Sequence, residues 1–234
     1  MSIVCASGLE SLSVAFEPGA SAGDGLMPAA DFSNLPIVHR ILMRFYEPLT
    51  ELGRRARRVG PVDRGTLVLV AGLHEGVGSS TTALALAAAA TADGPTALVD
   101  TDLRSRGLTQ LFRPRPAAGW DDVVSGASFI EDAVHFVDSR EALAFFPIRA
   151  VVGDVFASNG HAGLTRWLGR LRQDYQLIIV DGGSVPNGLR WAPWVDAALI
   201  VRDPARSADS DWTPVWDSME EAGAHVLGIV ETFV

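Results

Sequence analysis

Three short stretches of the chain carry groups suited to phosphate and metal chemistry. The first is GLHEGVGSSTT, Gly72 to Thr82. A glycine-rich turn between an apolar run and a Ser/Thr-rich helix start makes an anion cradle, because backbone N–H groups and the helix N-terminus point at one place. Gly76, Val77, Gly78, Ser79, Ser80 and Thr81 would surround the phosphates, with the Ser80 hydroxyl on a magnesium ion. Such loops normally carry lysine just before that hydroxyl; here the residue is Ser79. Leu73 stands where the pattern often begins with glycine, and Glu75 adds a negative charge. Alone, the stretch reads equally well as an ordinary capped strand-to-helix turn.

The second stretch is ALVDTDLRSRGL, Ala97 to Leu108. Asp100 and Asp102 are separated by one residue, so in extended chain they share a face. Paired acids beside a phosphate loop suit metal coordination together with a general base. The plain alternative is a pair of surface acids at a strand end. The third is LIIVDGG, Leu177 to Gly183, where an apolar run ends in Asp181. That fits an acid holding magnesium, often through water. Each pattern is common by itself. All three in this order, each at the end of an apolar run, point to a P-loop fold.

The elements that must position these groups alternate short apolar strands with helices. Strands are expected at Thr66–Ala71, Thr96–Asp100, Leu143–Ile148, Leu177–Val180, Ala197–Val201 and Val226–Val230. Helices are expected at Ser80–Ala92, Trp120–Val124, Phe129–Phe136, Leu164–Arg172 and Trp212–Ala222. This alternation predicts an α/β fold with a mostly parallel central sheet and helices on both faces. Ligands of such sheets sit at the carboxyl ends of the strands, where the three stretches fall. Ahead of this domain, taken as 61–234, residues 35–60 carry Ile37, Ile41, Leu42, Phe45, Leu49 and Leu52 at helical spacing, with Pro48 as a start or a kink. The arginines after Leu52 read as a solvated helix end or as a contact for an acidic partner. Residues 1–34 are rich in Gly, Ala and Ser and read as a mobile lead-in.

Composition narrows the function classes. The 234 residues are 48% hydrophobic, enough for a full core. The formal charge of −9 argues against nucleic acid and anionic lipid as partners. Cys5 is the one cysteine, so no intrachain disulfide is expected. The longest apolar run, Ala83 to Ala90, is far short of the ~20 residues of a membrane span. A cytoplasmic protein is expected, reaching a membrane only through a partner. All 19 basic residues are arginine. No ε-ammonium is therefore available, and arginine does not replace a compact point charge in a tight loop.

The motifs resemble the MinD/ParA-like group of P-loop ATPases, and within it the bacterial tyrosine kinase (BY-kinase, CpsD/CapB-like) domain of capsule and exopolysaccharide systems. GVGSST at Gly76–Thr81 is similar to that family's GEGKST. VDTDLRSRGLTQLF is similar to its second acidic motif. AGWDDVVSGASFIEDAV, YQLIIVDGG, ALIVRDPARS and EEAGAHVLGIV resemble successive later segments. The resemblance implies ATP or ADP with Mg2+ as cofactor, held by Gly76–Thr81, with Ser80, Asp100 and Asp181 serving the metal. It implies that Asp102 helps the metal or activates a tyrosine hydroxyl. It also implies partners: a membrane polysaccharide co-polymerase or an active BY-kinase, in a homo- or hetero-oligomer.

The sequence departs from the family at Ser79. It has only two tyrosines, Tyr46 and Tyr175, and no tyrosine-rich tail. The arginines Arg40 and Arg44 lack the family's Glu-x-x-Arg-x-x-Arg spacing. A lost charge-assisted contact is worth roughly 1.5–3 kcal/mol, or about one to two decades of affinity. Weak nucleotide binding is therefore expected, with impaired catalysis and a regulatory or scaffolding role. An active tyrosine kinase or ATPase with a substitute cation and a MinD/ParA-type positioning switch are the alternatives.

Overall fold

The computed structural model describes residues 2–5, 11–12, 36–111, 117–137, 142–149, 156, 158–208 and 210–233. Residues 1, 6–10 and 13–34 of the expected lead-in, and residue 35 of the expected helical segment, lie outside them.

The strands, in chain order, are β1 (Ser2–Cys5), β2 (Ser11–Leu12), β3 (Thr66–Gly72), β4 (Thr96–Asp100), β5 (His135–Phe136), β6 (Leu143–Phe146), β7 (Leu177–Ser184), β8 (Ala197–Arg202) and β9 (His225–Glu231). The helices are α1 (Pro36–Val59), α2 (Ser79–Ala90), α3 (Gly107–Leu111), α4 (Trp120–Ser125), α5 (Ile130–Ala133), α6 (Ser158–Asp174), α7 (Val185–Gly188) and α8 (Thr213–Glu221). All nine strands form one sheet in the order β2-β1-β9-β8-β3-β7-β4-β6-β5. The run from β9 to β6 is parallel throughout. The β1–β2 pair joins β9 antiparallel, and β5 joins β6 antiparallel.

The central strands β3, β4 and β8 are buried along their whole length, as strands covered on both faces must be. One face packs on α1 and α2. Helix α2 is buried on every side from Thr82 to Ala90, and its run of alanines lets α1 and the sheet approach closely. Helix α1 applies Leu42, Phe45, Leu49, Leu52 and Ala56 to that layer. It departs from helical geometry at Phe45 (φ −120°, ψ 17°), just ahead of Pro48, which offers no N–H and crowds the preceding turn. The arginines at its end serve the fold itself. Arg54 binds both oxygens of Asp93 at 2.9 and 3.1 Å, and Arg57 donates to the Ala90 carbonyl at 3.1 Å, at the C-terminal end of α2.

The other face is rich in tryptophan. Trp120 stacks on Trp167 at 5.3 Å and meets Trp191 edge-on at 5.5 Å. The amino ends of the parallel strands are tied by Arg172 at the end of α6. Its guanidinium holds Asp196 at 2.6 and 3.0 Å and the Gly65 carbonyl at 2.8 Å, while Leu67 N donates to Asp196 at 2.8 Å.

Several elements differ from the sequence expectation, the short helices α3 and α7 among them. Ser2–Cys5 and Ser11–Leu12 form strands where the composition alone read as lead-in. The helix expected over Phe129–Phe136 stops at Ala133, because Val134 is extended (φ −91°, ψ 136°) and His135–Phe136 pair with β6. The helix expected over Leu164–Arg172 runs instead from Ser158 to Asp174. Among the described residues, no helix is long and apolar enough to cross a membrane.

Candidate functional site: a phosphate-loop cavity over three buried aspartates

β3 lies between β7 and β8, and β7 lies between β3 and β4. The carboxyl ends of these strands are therefore neighbours, and each leads into one of the three candidate stretches. The loop after β3 is anchored by Leu73 N, which donates to the Val201 carbonyl at 2.8 Å. It then turns through Gly76 (φ 77°) and Gly78 (φ 91°), backbone that side-chain-bearing residues rarely adopt. α2 starts at Ser79 with no side-chain cap, which leaves its first N–H groups for an anion.

A cavity of about 610 Å³ opens here. Gly76, Gly78, Ser79, Ser80 and Thr81 line it, as do Asp102, Arg104 and Ser105 after β4 and Gly183 and Ser184 at the end of β7. Val77 does not. Its side chain is fully buried in the core, and its carbonyl accepts a hydrogen bond from Thr232 Oγ1 at 2.6 Å. Any part Val77 has in a cradle is a backbone part.

The three aspartates are gathered but unequal. Asp100 and Asp181 face each other in register on β4 and β7 and are fully buried, while only Asp102 lines the cavity. Asp100 commits both oxygens internally: Oδ1 accepts from Asp102 N at 3.1 Å, and Oδ2 from Thr109 N and Oγ1, each at 2.7 Å. Asp102 Oδ1 accepts from Arg104 N at 3.0 Å and Ser105 N at 3.2 Å, and the Ser105 hydroxyl donates to Oδ2. Asp181 Oδ1 accepts from Gly183 N at 3.2 Å, whereas Oδ2 is buried with no hydrogen bond of normal geometry.

Burial pushes the Asp100 carboxyl up to about 6, opposed by the Thr109 hydrogen bonds. Burial and then the neighbouring Asp100 push Asp181 up to about 7, with the nearby Ser80 hydroxyl pulling back. A carboxylate pair without a cation is thus disfavoured at neutral pH.

The residues fit magnesium only in company with phosphate. Among the described residues, no three His, Cys, Asp or Glu side chains converge into a cage for a metal. Magnesium is usually held by one or two protein oxygens plus phosphates and water. The Ser80 hydroxyl and the orphan Asp181 Oδ2 supply such a set. Asp100 could add only its charge, because its carboxylate is already engaged by Thr109.

Several supporting residues carry no signature that sequence reading picked up. Trp120 Nε1 donates to the Asp100 carbonyl at 2.7 Å. Asn187 Nδ2 bridges the Thr101 and Gly182 carbonyls at 2.8 and 2.9 Å. Thr109 is an ordinary helix residue by sequence. Gly183 (φ 63°) brings its backbone against Asp102, where a Cβ would lie 2.6 Å from the carboxyl carbon. Arg104 and Phe233, also at the cavity, were not singled out. Arg104 lies inside the quoted acidic motif, which was the available signal.

Sequence comparison finds no matching family model and no matching curated protein. Comparison of structures does find relatives. The VpsO kinase domain superposes with a TM-score of 0.69 at 19% identity, over 87% of this chain and 97% of that one. The kinase domain of the Escherichia coli tyrosine kinase ETK gives 0.65 at 17%, over 79% and 75%. The Pyrococcus furiosus cell-division ATPase MinD gives 0.55 at 20%, over 70% of each chain. At these identities the likeness is one of fold. The chain has the P-loop α/β fold shared by bacterial tyrosine-kinase domains and MinD-type ATPases.

Proposed function

We propose that this protein is a BY-kinase-like nucleotide binder of low catalytic power that regulates or scaffolds capsule or exopolysaccharide synthesis or export. The observation that carries the reading is Ser79. It sits in the wall of an otherwise complete phosphate cavity, at the helix start where the loop's lysine would stand, above three gathered aspartates. Mg2+ with ATP or ADP would be held by the loop's N–H groups, the Ser80 hydroxyl and Asp181 Oδ2. The metal supplies the positive charge that lets a polyphosphate lie over the acids. Asp102 lines the cavity, and its Oδ2, which accepts one bond from Ser105, keeps a lone pair for a proton from a hydroxyl. Losing a preorganised donor to the transferring phosphate typically costs ~100–1000-fold in rate. Binding outlasts catalysis for that reason. The expected partner is a membrane polysaccharide co-polymerase or an active kinase of the same fold.

The test pairs two measurements on purified protein: phosphate transfer from Mg·ATP to itself and to a tyrosine polymer, and thermal shift with ATP or ADP, with and without magnesium. Magnesium-dependent shifts without transfer are expected. Transfer at rates ordinary for bacterial tyrosine kinases would overturn the reading in favour of an active kinase with a substitute cation, an alternative supported by Arg104 in the cavity wall. A positioning switch of the MinD type rests on fold likeness alone. Neighbouring genes for division or partition, in place of glycosyltransferases and exporters, would favour it.

A further inference from the structure

Arg104 is the one basic side chain among the described residues that line the phosphate cavity. Its root is fixed: the backbone N–H donates to Asp102 Oδ1 at 3.0 Å. Its side chain is 74% exposed, and the guanidinium pairs at 2.6 Å with Glu75, whose side chain is 65% exposed, in the phosphate loop. The loop is held from a second side, where Arg206 Nη1 donates to the Glu75 carbonyl at 3.2 Å. The backbone at both ends of the Glu75–Arg104 pair is therefore anchored, while the paired side chains are free in solvent.

We propose that Arg104 is the cation that stands in for the missing loop lysine, and that Glu75 holds it in reserve until a polyphosphate displaces the Glu75 carboxylate. This inference rests on the nucleotide-binding reading above and specifies its cation. The exchange is chemically easy. An exposed ion pair holds weakly. A di- or triphosphate offers a guanidinium more charge and bidentate oxygens. The ligand class is the polyphosphate end of a nucleoside di- or triphosphate, and nothing in the exchange reads the base.

The test is a double-mutant cycle on the full chain, titrated with magnesium pyrophosphate and with Mg·ADP. Arg104→Gln is expected to weaken both by about tenfold or more. Glu75→Gln is expected to tighten both several-fold in the parent. That gain should shrink when Glu75→Gln is placed on Arg104→Gln, because there is no longer a cation to release. Arg104→Lys should keep part of the affinity. Both positions are exposed, so unchanged melting curves without ligand are expected and verify folding. Additive effects would overturn the exchange, reducing Glu75 to simple repulsion. Binding that Arg104→Gln leaves unaltered would overturn the inference while sparing the nucleotide reading. No binding of either probe to any variant, Ser79→Lys included, would overturn both.

Discussion

The two ends of the central sheet treat buried charge in opposite ways. At the amino end, Asp196 is bound on both oxygens by the Arg172 guanidinium and also accepts the Leu67 N–H. At the carboxyl end, Asp100 and Asp181 lie side by side, and one oxygen of Asp181 has no hydrogen bond of normal geometry. The first arrangement favours the folded chain as it stands. The second raises its free energy wherever both carboxyls are ionised and no cation lies beside them. The pair is thus the place in this sheet where the local rules of stability are not met.

Substitutions at the two ends should therefore act with opposite signs. The largest effect is expected from Arg172→Ala. It strands Asp196 with the charge half-buried, and breaking a buried pair typically costs about 3–5 kcal/mol. For a chain of this size that is a fall in Tm of roughly 10 °C, read by calorimetry without ligand. A fall of only a degree or two would mean that the amino end is not what holds the sheet.

Asp181→Asn should do the reverse. Its carboxyl keeps a proton in the fold up to about 7, against an ordinary 3.8, so the fold is favoured at low pH. That contribution fades as pH rises from about 4 towards 7. The parent without magnesium should lose stability over this range, and the asparagine variant should lose only the smaller part due to Asp100, which fades from about 4 towards 6. At pH 8 the variant is expected to melt several degrees higher, a gain on the order of a few kcal/mol for a fully buried charge removed. At pH 4 the two should coincide. The same variant should lose the magnesium-dependent shift with ATP. Equal pH profiles for the two proteins would remove the contrast between the ends.

Next comes Ser79→Lys. A restored charge-assisted contact of roughly 1.5–3 kcal/mol should tighten Mg·ATP about tenfold or more in calorimetric titration. No gain would show that Glu75 or Leu73 has closed the cradle. The smallest effect is expected from Thr232→Val. It removes the hydroxyl that donates to the Val77 and Arg202 carbonyls at 2.6 and 3.1 Å, for about 1 kcal/mol and a Tm lower by roughly 2–4 °C. Nucleotide affinity should fall with it if that clasp sets the shape of the loop.

What the sequence disclosed about this contrast was uneven. The strands that end in Asp100 and Asp181 were legible because short apolar runs flanked by glycine and aspartate admit few other readings. The phosphate loop was legible from glycine spacing. The unequal standing of the three acids was not. It depends on Thr109, from a later helix, reaching back to Asp100, and on which aspartate is left without a donor. Such facts belong to the assembled sheet and have no local pattern. The Arg172–Asp196 tie was hidden for the same reason, since its partners are 24 positions apart. The short strand at His135–Phe136 was missed because a helix of a single turn and a two-residue strand share their apolar residues, and only β6 decides between them.

The pairing of Ser2–Cys5 with β9 has a consequence for behaviour in solution. A strand at the margin of a sheet offers a row of unsatisfied amide and carbonyl groups, which can recruit a strand from another molecule and begin aggregation. Along β9 that row is already occupied from Gly228 to Glu231 by the chain's own first residues. At the opposite margin, β5 is only two residues long and offers little to copy. Both margins of the sheet, β2 and β5, are thus two-residue strands that give another molecule's strand little to pair with.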